Sequence, residues 1–235
     1  MSILPVNAVR RALLAAGVLA VATVAAAIIL IAAGSGAATA AQPATQPPAS
    51  ASAHSVPAPV PVSLDPATTA YLVLDDTAAV CTPNPSCVAT LPAAASLLAR
   101  ARAAGATVIF SKTVNPGDQV LSQVAPLPSE HIVAARADKF FGTDLQQTLT
   151  DDGIKTLVLV GTKTNGAIMY TAFEASVRGF TVVVAEDGVS SNSGYIQRYS
   201  LYQLLNVPGF PNAQNTPLLP GAVTLSTTKL VSFTG

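Results

Sequence analysis

From Thr69 onward the chain alternates short unbroken apolar runs with stretches of helical spacing. Ala70-Tyr71-Leu72-Val73-Leu74 ends at Asp75-Asp76, and Thr107 to Phe110, His131 to Val133, Thr156 to Val160, Phe180 to Val184 and Ala222 to Leu225 repeat the pattern. Apolar runs without polar alternation predict strands buried on both faces, as in a parallel sheet. Leu91 to Ala104, Asp144 to Thr150, Asn165 to Val177 and Tyr195 to Leu205 have helical spacing, with Gly105, Gly153 and Gly179 placed as C-terminal stops. Residues 113–130 carry Pro, Gly, Asp and Gln and read as a loop. The alternation predicts a three-layer α/β/α, Rossmann-like fold with a mainly parallel sheet of about six strands and right-handed crossovers. Ligands in such sheets sit beyond the carboxyl ends of the strands. That rule nominates Asp75, Asp76, Gly161 to Asn165 and Asp187.

The N-terminal part has a different texture. Arg10-Arg11 precede an uncharged run from Ala12 to Ala33 that includes Ile28-Ile29-Leu30-Ile31, and a small-x-small site follows at Ala38-Thr39-Ala40. This predicts an export segment over residues 1–40. The run is long for a signal core and close to the roughly 20 residues that span a bilayer. A cleaved signal and a retained membrane anchor over residues 12–33 therefore both stand. Positive charge stays cytoplasmic, so either one delivers the rest of the chain to the far side, secreted or periplasmic. Residues 41–66 are rich in Ala, Pro and Ser and predict an extended linker with no core of its own. Residues 67–235, roughly 170 in number, suffice for one α/β core.

Composition narrows the function classes. Twelve basic and twelve acidic residues balance, and only 10% of the chain is charged. There is no basic cluster to neutralise phosphates, which excludes a nucleic-acid partner. The two cysteines, Cys81 and Cys87, flank Thr-Pro-Asn-Pro-Ser. In an exported domain they predict a disulfide, which closes so short a loop for a gain of roughly 2 kcal/mol; two free, partly buried thiols are the alternative. Neither a Gly-x-Ser-x-Gly elbow nor a glycine-rich nucleotide loop is present. The histidines are His54, in the linker, and His131, in a strand. A histidine-based zinc site and a Ser-His-Asp triad are therefore not expected, and no metal or cofactor is called for.

Four segments occur in order: Leu-Val-Leu-Asp at 72–75, Asp-Lys-Phe-Phe-Gly-Thr-Asp-Leu at 138–145, Leu-Val-Leu-Val-Gly-Thr-Lys-Thr-Asn-Gly-Ala at 157–167, and Arg-Gly-Phe-Thr-Val-Val-Val-Ala-Glu-Asp-Gly-Val-Ser-Ser at 178–191. With these the chain resembles the isochorismatase-like, or cysteine hydrolase, superfamily from about Thr69 to Phe233. The resemblance implies that Asp75 is the acid/base aspartate and Lys139 the catalytic lysine. It puts Ala167 at the position of the nucleophilic cysteine. It also implies a cis peptide between Thr162 and Lys163, an oxyanion hole from the backbone N–H groups of Lys163 and Ala167, and substrate contacts from Thr164, Asn165 and Phe141. Asp76-Thr77 depart from the family's apolar-Gln pair, and the Cys81–Cys87 loop is not a general family feature.

A methyl side chain cannot attack a carbonyl, so a thioester route is closed at Ala167. Isochorismatases proper lack the cysteine as well and use the aspartate with water to cleave a vinyl ether. The resemblance thus implies an exported hydrolase that acts on a small molecule through Asp75 and Lys139, and a homo-oligomer. The other reading is a catalytically silent small-molecule-binding or assembly protein on the same fold. Cys81 or Cys87 as a relocated nucleophile is a third. Lys163 points either at an anionic substrate or into solvent. Asp76 is expected as a loop carboxylate, and Asp187 with Ser190-Ser191 as residues that order the loop after the fifth predicted strand.

Overall fold

The structure, a computed structural model, describes residues 55–234. The predicted export segment, and the linker as far as His54, lie outside the described residues. Among the described residues no helix is long and apolar enough to cross a membrane. The elements are β1 (Val62–Leu64), β2 (Thr69–Leu74), α1 (Pro85–Ala104), β3 (Thr107–Lys112), β4 (His131–Ala134), α2 (Leu145–Asp151), β5 (Thr156–Thr162), α3 (Met169–Val177), β6 (Thr181–Ser190), α4 (Gly194–Leu205), β7 (Val223–Ser226) and β8 (Val231–Phe233).

Six strands form one sheet in the order β4-β3-β2-β5-β6-β7, and every neighbouring pair is parallel. The α/β/α expectation holds. β2 and β5 are buried along nearly their whole length, which explains their uninterrupted apolar sequence. Each face of the sheet has its own core. Leu72, Leu74, Leu157, Leu159, Val182 and Val184 pack with residues of α2, α3 and α4. Tyr71, Val73, Val158, Val160 and Val183 pack against Leu91, Leu97 and Leu98 of α1. The chain runs outward from β2 to β3 and β4, then crosses back to place β5 on the other side of β2. The order therefore reverses between β2 and β5, and a crevice opens beyond their carboxyl ends at such a switch point.

Two departures from the sequence expectation stand out. Residues 41–66 were expected to have no core, yet Val62 and Leu64 are buried and pair in parallel with Val231 and Phe233 of β8. Arg100 of α1 ties this small sheet down, donating from Nη1 to the Val231 carbonyl at 2.6 Å and from Nη2 to that of Thr228. Helix α1 begins at Pro85, six residues before the periodic apolar pattern does. Proline suits the first helical turn because its missing N–H would have had no intrahelical partner.

Candidate active site

Strand β2 delivers Asp75 to the switch point. Its backbone turns sharply there, with φ of 57°, a region that residues other than glycine enter rarely. Its neighbour across the crevice is Gly161, in register with Leu74. Gly161 has φ of 118°, and a Cβ on it would lie 2.0 Å from the Leu74 carbonyl oxygen, so no side chain fits. This close approach brings the β5 loop beside Asp75.

Lys139 arrives from the segment between β4 and α2. Phe140 anchors it, stacking on Phe180 at 6.1 Å beneath the Arg178 guanidinium at 4.6 Å. The Asp138 carboxylate accepts from the Phe140 N–H at 2.8 Å, and Thr143 Oγ1 donates to the Lys139 carbonyl at 2.6 Å. The Lys139 N–H donates to Thr171 Oγ1 of α3 at 3.3 Å. The ammonium group is thereby aimed inward, and its side chain has no exposed surface. It donates to both Asp75 oxygens, at 2.8 and 2.7 Å, and to the Arg136 carbonyl at 2.6 Å.

Ser111, at the end of β3, completes the arrangement. Its Oγ donates to Asp75 Oδ1 at 2.8 Å, while the Asp75 N–H donates to the Ser111 carbonyl at 3.3 Å. Sequence reasoning missed Ser111. The strand-end rule would have found it, because Ser111 is the polar residue that ends the apolar run of β3 in register with Leu74. Burial raises the Asp75 pKa, and the Lys139 charge and its hydrogen bond oppose that rise. Burial lowers the Lys139 pKa, and Asp75 opposes that fall. Desolvation thus draws the two groups' proton affinities together, which suits a pair that passes a proton to or from a bound molecule.

The peptide between Thr162 and Lys163 is cis. A helical turn over Thr164–Ile168 carries Ala167 and leads into α3. Ala167 is buried, and Thr171, one helical turn further on, touches the Lys139 backbone. Thr164 Oγ1 donates to Gln197 Oε1 of α4 at 2.7 Å, and Asn165 Oδ1 accepts from Ser191 Oγ at 3.3 Å. Lys163 is half-buried and forms no ion pair among the described residues. Phe141 differs from the buried Asp75 and Lys139 in being 83% exposed. A cavity of about 230 Å³ opens beside the β5 loop, lined by Ser86 and Thr90 of α1, Val189 and Ser190 of β6, Ser191 and Ser193 between β6 and α4, and Gln197 of α4.

The remaining candidates have structural partners. The Asp187 carboxylate accepts from the Thr228 N–H and Oγ1, both at 2.7 Å, and so fixes the turn between β7 and β8. His131 pairs with Asp144 at 3.0 Å. Cys81 and Cys87 form a disulfide, which resolves the choice between a bridge and free thiols and leaves neither as a nucleophile in this state. Asp76 lies in the loop after β2, as expected, but is fully buried beside that disulfide, with Oδ1 3.2 Å from Cys87 Sγ and Oδ2 without a hydrogen-bond partner. Burial, with the neighbouring Asp75 charge, pushes its pKa up to about 7.

Known proteins share this architecture. A cysteine hydrolase from Pseudomonas syringae pv. phaseolicola superposes with a TM-score of 0.61 at 21% identity, covering 73% of this chain and 94% of that one. The streptothricin hydrolase of Streptomyces noursei is 35% identical over 102 residues, 39% of this chain and 40% of its own. A secreted isochorismatase effector of Verticillium dahliae is 30% identical over 113 residues, 43% of this chain and 60% of its own. The chain thus spans less than two thirds of the length of the curated relatives it matches. The isochorismatase domain model matches residues 69–209, a stretch that runs from β2 through α4 and holds Asp75, Ser111 and Lys139. On that match, over more than half of its length, the chain belongs to the isochorismatase family.

Proposed function

We infer that the protein is an exported hydrolase that acts on a small molecule through Asp75 and Lys139, without a cysteine nucleophile. The observation that carries this reading is the buried Asp75–Lys139 pair, with both carboxylate oxygens on one ammonium group at the switch point of the sheet. A desolvated ion pair costs several kcal/mol to assemble, and a fold with only structural demands is served as well by apolar side chains. With alanine at the position the family gives to its nucleophile, water is the attacking group. Asp75, its proton affinity raised by burial, protonates the terminal carbon of a vinyl ether; water adds to the resulting oxocarbenium carbon; and Asp75 takes the proton that water loses. The hemiketal then splits into a ketone and an alcohol. On an amide the same carboxylate acts as base toward water. Lys139 holds Asp75 in place and offsets its charge in the anionic stage. The backbone N–H groups of Lys163 and Ala167 hold the oxyanion that develops on an amide, the Thr164–Asn165 loop contacts the substrate, and the cavity lined by serine and threonine side chains takes a polar, uncharged part of it.

The disulfide supports export, since such bonds persist in oxidising compartments. The secreted relative supports it as well. Residues 1–40 are the export signal or the anchor in this reading, and the mature protein assembles with copies of itself, as the family resemblance implies.

Purified protein and its Asp75→Asn variant assayed on a panel of amides and vinyl ethers test the catalytic assignment. Hydrolysis by the parent is expected, with a loss of about 10²- to 10⁴-fold in the variant, the usual contribution of a positioned acid or base. A parent with no activity on the panel, or a variant as active as its parent, favours the silent binding protein instead.

A further inference from the structure

Asp76, Cys81 and Cys87 form a cluster that the reaction at Asp75 does not use. One carboxylate oxygen and the two sulfurs lie within 4.8 Å of one another, and all three residues are buried. The Cα atoms of the cysteines are 5.2 Å apart. Asp76 Oδ2 is buried and has no hydrogen-bond partner, and Oδ1 faces Cys87 Sγ at 3.2 Å. A disulfide sulfur carries no proton to donate and accepts only weakly, so this carboxyl has no adequate partner in the oxidised state. A buried polar atom left unpaired costs about 1–3 kcal/mol, more when it is charged. The cluster has the ligand set of a different occupant.

We propose that reduction of the Cys81–Cys87 disulfide converts this cluster into a binding site for a soft divalent cation such as zinc, held by the two thiolates and the Asp76 carboxylate. A dithiol reductant passes two electrons and two protons to the sulfurs and leaves as its own disulfide. The cation then displaces both thiol protons, and the carboxyl proton where Asp76 holds one. Zinc sits about 2.3 Å from sulfur and about 2.0–2.2 Å from a carboxylate oxygen, so ligand atoms around one ion lie roughly 3.5–3.8 Å apart, a spacing inside the 4.8 Å that bounds this cluster and close to the 3.2 Å between Asp76 Oδ1 and Cys87 Sγ. Three protein ligands leave a fourth position for water. The histidine-based site that the sequence excludes is a separate matter, because this site needs none. Oxidised protein has no site: one S–S bond replaces both anionic ligands.

The test uses full-length protein in two states, disulfide-intact and dithiol-reduced, with the reductant removed under anaerobic conditions and two free thiols verified by titration. Zinc ion is the probe, followed by competition with a chromophoric chelator and by metal analysis after desalting, while far-UV circular dichroism monitors the fold. The reduced, folded protein is expected to bind one zinc per chain and the oxidised protein none. Loss of a direct ligand costs at least as much as loss of an outer-shell partner, 10- to 100-fold, so Asp76→Asn is expected to weaken binding at least tenfold in the reduced state. Cys81→Ser/Cys87→Ser is expected to abolish it in both. Reduced, folded parent that binds no zinc overturns the proposal. So does Asp76→Asn that binds as tightly as the parent, or zinc uptake that occurs only once the helical signal is lost.

Discussion

Asp76 sits one residue beyond the Asp75–Lys139 pair and, among the described residues, has no cation of its own. Its carboxyl has an ordinary pKa of 3.8 and is pushed up to about 7 in the fold by burial and by Asp75. A group with a raised folded pKa holds a proton that the unfolded chain has already released. Its contribution is therefore fully present below pH 3.8 and is lost as pH rises toward 7. The variant Asp76→Asn keeps the shape and removes the ionisation. Its stability advantage over the parent, measured by urea denaturation, is expected to grow by up to about 4 kcal/mol between pH 4 and pH 8. A difference that does not change with pH would sink the assignment. The burial of Asp76 was not legible in the sequence, where Asp75-Asp76 reads as two polar residues at a strand end. It depends on the turn at Asp75 and on the disulfide loop that folds back over it, and neither has a local signature. Asp75 and Lys139 were legible because a strand end and a Phe-Gly-Thr segment mark them. Ser111 carries the same strand-end mark, but a serine, unlike an aspartate, has no charge to single it out among the polar residues of a loop.

At the scale of elements, the sheet was legible and its margins were not. Strands β2 to β7 announce themselves by apolar runs, since each is buried on at least one face. Strands β1 and β8 have three residues each and pair across nearly the whole length of the domain. So short a run carries no period, and the prolines around Val62 read as linker. The β2–β5 contact supplies the element-level prediction. Gly161→Ala places a methyl group against the Leu74 carbonyl at a φ that only glycine adopts with ease. The two strands must part or the β5 loop must move. The expected cost exceeds about 3 kcal/mol, the upper end for one strained backbone position, because overpacking adds to it. In whatever fraction still folds at low temperature, hydrolysis is expected to fall further than the folded fraction does, since Asp75 follows Leu74 directly. A variant with parental stability and rate would show that the approach of the strands does not set the site.

Over the whole described fold, the α/β unit uses its N-terminal extension as structure. Val60 N–H donates to the Leu225 carbonyl of β7 at 3.0 Å, and Val62 N–H donates to the Leu230 carbonyl at 3.0 Å. Ser226 Oγ donates to the Val60 carbonyl at 2.7 Å, and Asn215 Nδ2 reaches the Ala58 carbonyl at 3.0 Å. The segment thus ties the turn before β7, β7 itself and β8 to the sheet while Val62 and Leu64 cover the α1 face. Two truncations separate this role from that of the preceding residues. A chain starting at Ser55 keeps every one of these bonds. A chain starting at Asp65 loses them, together with the burial of a valine and a leucine worth about 1.5–3 kcal/mol each. The first is expected to retain the stability of the longer chain and the second to lose at least about 3 kcal/mol by urea denaturation, with β8 exchanging its amide protons early because it has lost its only partner strand among the described residues. Equal stability of the two truncated chains would mean that residues 55–64 merely lie on the fold. Strands β1 and β8 form a small sheet of their own, and none of the bonds lost reaches Asp75 or Lys139, so the shorter chain, where folded, is expected to keep the rate of the proposed hydrolysis.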